Sequence, residues 1–351
     1  MATSSLQDKI ASFLPEKWEG EKRIFGLRGG ARAFFLSLLA QRKHQPLLVI
    51  SPTAREAEGL FFDLAFFLGE EGDLPPLQKR LHLFPSWEIL PFEKLSPHPD
   101  NVAARLEGLY HLVEGQAPIL ISTPAALMQR VLPKEAFKQS YRYLVSGAEI
   151  GRDDFLAHLV GWGFQNVPLV EERGDFSVRG GIVDIFPPAY SRPARLEFDA
   201  DRLESIREFD PSTQRSRERY QELVVLPMKE FSLRREKMGP VMGLVEKGIE
   251  KRAEELETER REKNSLLESV RDGTPFAGME FLVPYFYPAL SSLFSYLPAE
   301  TLIWLDQAAR VEAEVERFER LAWERAGQAK EEGSFTPPVE SLYLSEKEWR
   351  D

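Results

Sequence analysis

The sequence predicts an α/β protein, a helix-covered parallel sheet with a mixed, largely antiparallel α+β unit inserted into it. Two patterns carry this. Pro46-Leu47-Leu48-Val49-Ile50 and Pro118-Ile119-Leu120-Ile121-Ser122-Thr123-Pro124 are continuous apolar runs, as in strands covered on both faces. Helical segments near 54–68 and 101–113 alternate with them, which argues for parallel pairing. From Val167 to Phe209 the period changes to two, with turn signals, as in antiparallel strands. The change of character divides the chain into residues 1–125 (first part of the α/β domain), 126–212 (the inserted middle domain), 213–344 (second part of the α/β domain) and 345–351 (the start of a linker helix).

Taken in order, the first informative segment is Ile24-Phe25, read as the end of a short strand. It runs into Gly26-Leu27-Arg28-Gly29-Gly30-Ala31-Arg32-Ala33 and then the apolar helical run Phe34–Leu39. This is the context of a phosphate-cradling P-loop, whose pattern ends in Gly-Lys-Ser/Thr. Here those three positions are Ala31, Arg32 and Ala33. A Cβ at 31 crowds the phosphates, arginine replaces a compact ammonium by a planar fork, and alanine cannot ligate Mg²⁺. An ordinary glycine-rich turn would read similarly. A second damaged motif, the strand Thr301–Leu305 ending in Asp306-Gln307, favours the nucleotide-hydrolase reading. Helicase-type ATPases end this strand in Asp-Glu, and an amide at Gln307 cannot act as a general base. Gly26, Gly29, Gly30, Arg32, Ala33, Asp306 and Gln307 are therefore the remains of a RecA- or helicase-like site, and no catalytic residue is assigned.

In the middle domain Asp175-Phe176-Ser177-Val178-Arg179 alternates, with Phe176 and Val178 on one face and Ser177 and Arg179 on the other. Gly180-Gly181 supplies a tight reversal into Ile182–Phe186. In Arg195-Leu196-Glu197-Phe198 the charged pair is expected to face solvent. Beyond it, 239–270 reads as one long charged helix with a solvated face, and a further helix is expected near 308–326. Ser345-Glu346-Lys347-Glu348 has the form of a capping box and opens a helix that stops at Asp351, as in a piece of a longer protein. The aromatic loop around Trp87 is expected to pack against the first domain.

A net charge of −11, with 43% apolar and 29% charged residues, argues against a dedicated nucleic-acid surface. The absence of cysteine excludes disulfides and thiolate metal sites and points to a reducing cytoplasm. Met1–Lys9 lacks the basic and apolar regions of a secretory signal, and no segment is long and apolar enough to span a membrane. The five histidines show no ligand spacing, His98 between two prolines is a loop residue, and no metal site is expected.

The order of motifs resembles a known family. It runs from the glycine loop through Val178-Arg179-Gly180-Gly181-Ile182-Val183-Asp184-Ile185-Phe186-Pro187, Arg195–Phe198 and Ser205–Pro211 to Gly278-Met279-Glu280 and Leu293–Pro298. The chain resembles UvrB, the damage-verifying protein of bacterial nucleotide excision repair. It resembles more closely the amino-terminal, UvrB-homologous module of bacterial transcription-repair coupling factors. The resemblance implies a non-catalytic module that binds the excinuclease protein UvrA through its middle domain. RNA polymerase, DNA, ATP and Mg²⁺ would belong to domains beyond Asp351. Carried over, the binding residues are Arg179, Arg195 and Glu197. Two family arginines are unmatched, at Ser177 and near Gln165-Asn166, and Arg173 is placed to supply part of that charge. Only weak or no direct DNA binding is implied for this fragment, since the clamp hairpin of UvrB is replaced by the short loop at Trp87. The alternative is a divergent but active DNA-dependent ATPase using Arg32 and Asp306.

Overall fold

The computed structural model describes residues 20–43, 45–70, 75–91, 93–116, 118–231, 242–287 and 289–351. The reading of Met1–Lys9 and the start of the helix expected from Gly239 lie outside them.

Helix α1 (Gly30–Lys43) precedes strand β1 (Leu47–Ile50), helix α2 (Ala54–Leu68), β2 (Leu81–Phe84), α3 (Pro99–Val113) and β3 (Ile119–Ser122). The middle of the chain supplies β4 (Arg142–Val145), α4 (Arg152–Gly161), β5 (Gln165–Asn166), β6 (Asp175–Arg179), β7 (Ile182–Ile185), β8 (Ala194–Asp199), β9 (Arg202–Phe209), β10 (Ser216–Tyr220) and β11 (Glu222–Val225). Then come α5 (Met242–Glu255), α6 (Arg260–Asp272), β12 (Leu302–Leu305), α7 (Ala308–Glu331) and α8 (Glu346–Arg350).

Every residue of β1 and β3 is buried, as their unbroken apolar runs require. They lie in a parallel four-stranded sheet of order β12-β1-β3-β2. Leu47–Ile50 pair in register with Leu302–Leu305, so the sheet is completed by a strand from the far end of the chain. Two helices start where side chains satisfy free N–H groups. Thr53 accepts from the Glu56 N–H at α2, and Ser345 with Glu348 forms the expected reciprocal capping box at α8.

A six-stranded sheet of order β10-β9-β8-β7-β6-β5 occupies the middle of the chain, antiparallel except for the short β5–β6 pair. Its tightest turn explains two glycines. Gly180 has φ +59°, and a Cβ on Gly181 would lie 2.5 Å from the Phe198 carbonyl oxygen. The inner face (Phe176, Val183, Ile185, Leu196, Ile206) joins a core that continues through Trp162 and Leu223–Leu226 to Leu48, Phe84 and Val311.

Three expectations change. No strand forms at Ile24-Phe25: residues 21–28 are irregular, and Phe25 is 85% exposed. Two apolar residues behind Glu21-Lys22-Arg23 have neither a covered face nor a sheet edge to pair with. The long charged helix is instead α5 and α6, parted at Leu256–Glu259, where Glu257 takes φ +53°. The break lets Val245 and Ile249 of α5 share a small core with Leu267 and Val270 of α6. Ser177 is buried rather than on a solvent face, with its hydroxyl toward the Pro168 carbonyl.

The loop after β2 packs inward, as its aromatic content predicts. Trp87 is 6% exposed, and its indole N–H donates to Glu230 at 2.8 Å. The same carboxylate accepts from the fully buried Arg105 of α3, which also donates to the Pro85 carbonyl and lies over the Phe84 ring. This buried ion pair ties residues 85–87, α3 and Glu230 together, and no local sequence pattern announces it.

Candidate partner-binding face and the closed edge of the parallel sheet

The glycine-rich segment and the end of β12, far apart in sequence, meet in space. Ligands of open α/β sheets bind outside the carboxyl ends of the strands, and Asp306 lies there, just past β12 and beside β1, its N–H donating to the Ile50 carbonyl. Its carboxylate, 4% exposed as a residue, receives the Arg32 guanidinium at 2.5 Å across 274 positions of sequence. Arg32 reaches it from the first turn of α1. Gly26 and Gly29 hold positive φ ahead of that turn, and Gly30 begins the helix. Ala33 is fully buried in the core, on the side of α1 that packs against α2 and the sheet. Gln307 caps α7 with φ +57°, and its amide lies 3.4 Å from Glu56. Arg310 makes two bonds to the same Glu56, at 2.6 and 3.1 Å. These hydrogen bonds hold the Glu56 carboxyl below its ordinary value against the opposing effect of partial burial. Arg32, Glu56, Asp306, Gln307 and Arg310 thus meet partners from within the chain, while Arg32 Nε and the Ser51 hydroxyl are buried without one.

The outer face of the six-stranded sheet is built differently. Register places Ser177, Asp184, Arg195 and Arg207 in one cross-strand row, and Arg179, Ile182, Glu197 and Ser205 in the next. The two rows share a face because alternate residues of a strand do. Arg195 departs from expectation. Its side chain is only 18% exposed, bonds the buried Asp184 at 2.7 and 2.9 Å and lies over the Phe209 ring. The Asp184 hydrogen bonds raise the already high pKa of this guanidinium further. Glu197 is half-buried, accepting from Ser205 and paired with Arg207 at 3.2 Å. Arg179 is exposed at the hairpin end, with one bond from Nη2 to the Pro168 carbonyl. Arg173 stands apart from the rows, bonded to the Tyr190 carbonyl and to Asp100. The structure therefore unites Arg179 with Glu197 and leaves Arg195 as a strut beneath them.

Sequence reading passed over Ile182, an apolar residue 36% exposed between Arg179 and Glu197, and Arg152, whose guanidinium bonds the Gly180 carbonyl at 2.5 Å. An isoleucine directly after the turn on the Arg179 face was the available signal. It also passed over a buried trio. His82 of β2 lies against Glu107 and His111 of α3, although the histidines show no ligand spacing as a set. The i, i+4 spacing of Glu107 and His111 was the one sign of it. Burial pushes the His111 imidazole down to about 4, so the ring is neutral near pH 7.

Residues 143–231, which include the whole six-stranded sheet, match the UvrB interaction domain family. The fold and this face therefore define a UvrB-like interaction module. Over most of its length the chain is similar to the transcription-repair-coupling factors of Myxococcus xanthus (35% identity over 304 residues, 85% of this chain and 25% of the relative) and Escherichia coli K12 (32% over 308 residues, 87% and 25%). That of Bacillus subtilis is 28% identical over 348 residues, 97% of this chain and 29% of the relative. The chain belongs to the transcription-repair-coupling-factor family, as its UvrB-homology module, and spans about a quarter of the length of these relatives. Among the described residues no helix is long and apolar enough to cross a membrane.

Proposed function

We propose that this chain is a non-catalytic recruitment module that binds the excinuclease protein UvrA through the outer face of its six-stranded sheet. The observation that carries the reading is the coincidence of two things on one surface. The matched interaction domain is built on this sheet, and its outer face presents Arg179, Ile182 and Glu197 toward solvent. In the longer relatives, as their name states, transcription is coupled to repair. Within such a protein this module would bring UvrA to a stalled RNA polymerase. Translocation on DNA, with its ATP and Mg²⁺, would reside in the remaining three quarters.

The absence of hydrolysis is proposed on chemical grounds. Arg32 occupies the carboxylate that would hold magnesium, Ala33 is buried and has no hydroxyl, and Gln307 cannot polarise water. These residues do not fit a magnesium–nucleotide group.

Titration calorimetry of the chain with purified UvrA tests the binding claim. A 1:1 complex that Arg179→Glu disrupts and the distant Glu254→Arg leaves intact is the expected result. An unchanged affinity in folded Arg179→Glu refutes the surface. An ATPase assay with and without duplex DNA tests the second claim, and turnover that co-purifies with the chain refutes it.

A further inference from the structure

We propose that His82, Glu107 and His111 form a binding site for a divalent transition-metal ion of the zinc class, remote from the interaction face. The site is assembled by packing. β2 presents His82 to α3, and Glu107 and His111 stand one helical turn apart on the same side of α3. One ligand atom from each lies within 4.8 Å of the others. The residues are 4, 8 and 1% exposed, and the two imidazoles lie 4.2 Å apart, centroid to centroid.

What singles the trio out is its unmet hydrogen bonding. The Nε2 atoms of both histidines and Oε1 of Glu107 are buried without a hydrogen-bond partner. Buried polar side chains are nearly always satisfied, so three such atoms on neighbouring side chains require a reason. On His111 the other ring nitrogen, Nδ1, is held by the Gln116 side-chain oxygen. An N–H donated there leaves the lone pair on Nε2, the arrangement in which a second hydrogen bond orients a metal-bound imidazole. The Pro76 carbonyl is a further polar neighbour of this ring. Around Glu107 Oε1, His82 Nδ1 stands at 3.4 Å and Lys79 Nζ at 3.6 Å.

Two imidazoles and one carboxylate are the donor set of open zinc sites, and they disfavour magnesium and calcium, which take oxygen donors. Metal–ligand bonds of about 2.0–2.1 Å put donors roughly 3.5 Å apart. The two rings, 31° apart in plane, would turn out of their stack so that each aims one nitrogen at the ion. A cavity of ≈ 440 Å³ lined by Phe61, Phe62, Glu70, Lys79, His82 and Glu107 gives the ion a route in and room for a water as fourth ligand. Lys79 is a built-in competitor. Its ammonium occupies part of the charge the ion would claim, and its side chain, 29% exposed, can withdraw.

The experiment uses the whole chain, stripped with a chelator and titrated with Zn²⁺ by calorimetry and with Co²⁺ by visible spectroscopy. One equivalent is expected, with the d–d absorption of a four-coordinate cobalt site and a melting temperature raised by about 3–5 °C at a hundredfold excess over Kd. Mg²⁺ should produce no shift. His82→Gln and His111→Gln should each weaken Zn²⁺ binding at least a hundredfold, and Lys79→Met should tighten it several-fold. The lysine variant keeps the test decisive where a histidine variant fails to fold. The proposal is overturned by a stripped chain that takes up no Zn²⁺, by unchanged affinity in both folded histidine variants, or by a Lys79→Met chain that binds no better than wild type.

Discussion

The carboxyl end of the parallel sheet and the outer face of the six-stranded sheet both carry arginines beside carboxylates, yet they dispose of their charge in opposite ways. At the first, Arg32 meets Asp306 and Arg310 meets Glu56 across more than 250 positions, and little charge is left for a ligand. At the second, Arg195 is consumed internally by Asp184, while Arg179, among the described residues, donates to the Pro168 carbonyl alone. A guanidinium close to a carboxylate is therefore ambiguous as a functional sign. Its burial and the identity of its partner separate a strut from a contact residue.

The sharpest way to break this contrast is to treat the two arginines of the outer face alike. Arg195→Ala leaves Asp184, 2% exposed, as an uncompensated buried charge, so it should destabilise the fold by about 3 kcal/mol in urea unfolding. An unchanged unfolding midpoint would show that Arg195 is a surface residue after all. Arg179→Glu should leave the midpoint in place and weaken binding to UvrA by about 2–3 kcal/mol, roughly 30- to 150-fold by calorimetry. Loss of binding in the first variant with none in the second would reverse their roles.

The closed edge gives smaller effects. Asp306→Asn should cost about 1–2 kcal/mol of stability, because a largely buried charge-assisted bond becomes an ordinary one. It should not induce nucleotide hydrolysis, and turnover in this variant would mean that the Arg32–Asp306 pair had masked a competent site. The Glu56 carboxyl, held below its ordinary value chiefly by the Arg310 hydrogen bonds, should titrate low in an NMR pH series. Since its folded pKa is depressed, its contribution to stability is present above the ordinary carboxylate range and is lost as pH falls through the folded value. Arg310→Gln should move the Glu56 titration back up. A titration indifferent to that change would remove Arg310 from the account. The smallest signal expected is with duplex DNA. With a net charge of −11, the dissociation constant should exceed about 1 μM at physiological salt.

Much of the scaffold was legible in advance. The range 54–68 for α2 and the buried strands at 47–50 and 119–122 followed from period and caps, which are local properties. So did the hairpin at Gly180-Gly181 and the capping box at Ser345. β2, β4 and β11 were not foreseen, because four-residue strands in mixed surroundings carry little period and are defined by their partners. The solvent-facing reading of Arg195 and Ser177 failed for a related reason. Alternation tells which residues share a face, whereas what covers that face comes from elsewhere: Pro168 over Ser177, Phe209 and Asp184 around Arg195.

By itself, then, the sequence determined the α/β class of fold, the alternation of the middle sheet, and the residue types at 31–33 and 306–307 on which the proposed absence of hydrolysis rests. Tertiary structure alone decided that Arg32 lands on Asp306, that Arg105 is buried against Glu230, that Arg195 is a strut and Arg179 is not, and that His82 meets His111. Caps, turns and periodicity act over a few residues and are written in neighbouring positions. The partner of a charge is set by which distant elements the core brings together, and a single sequence carries no local record of that distance.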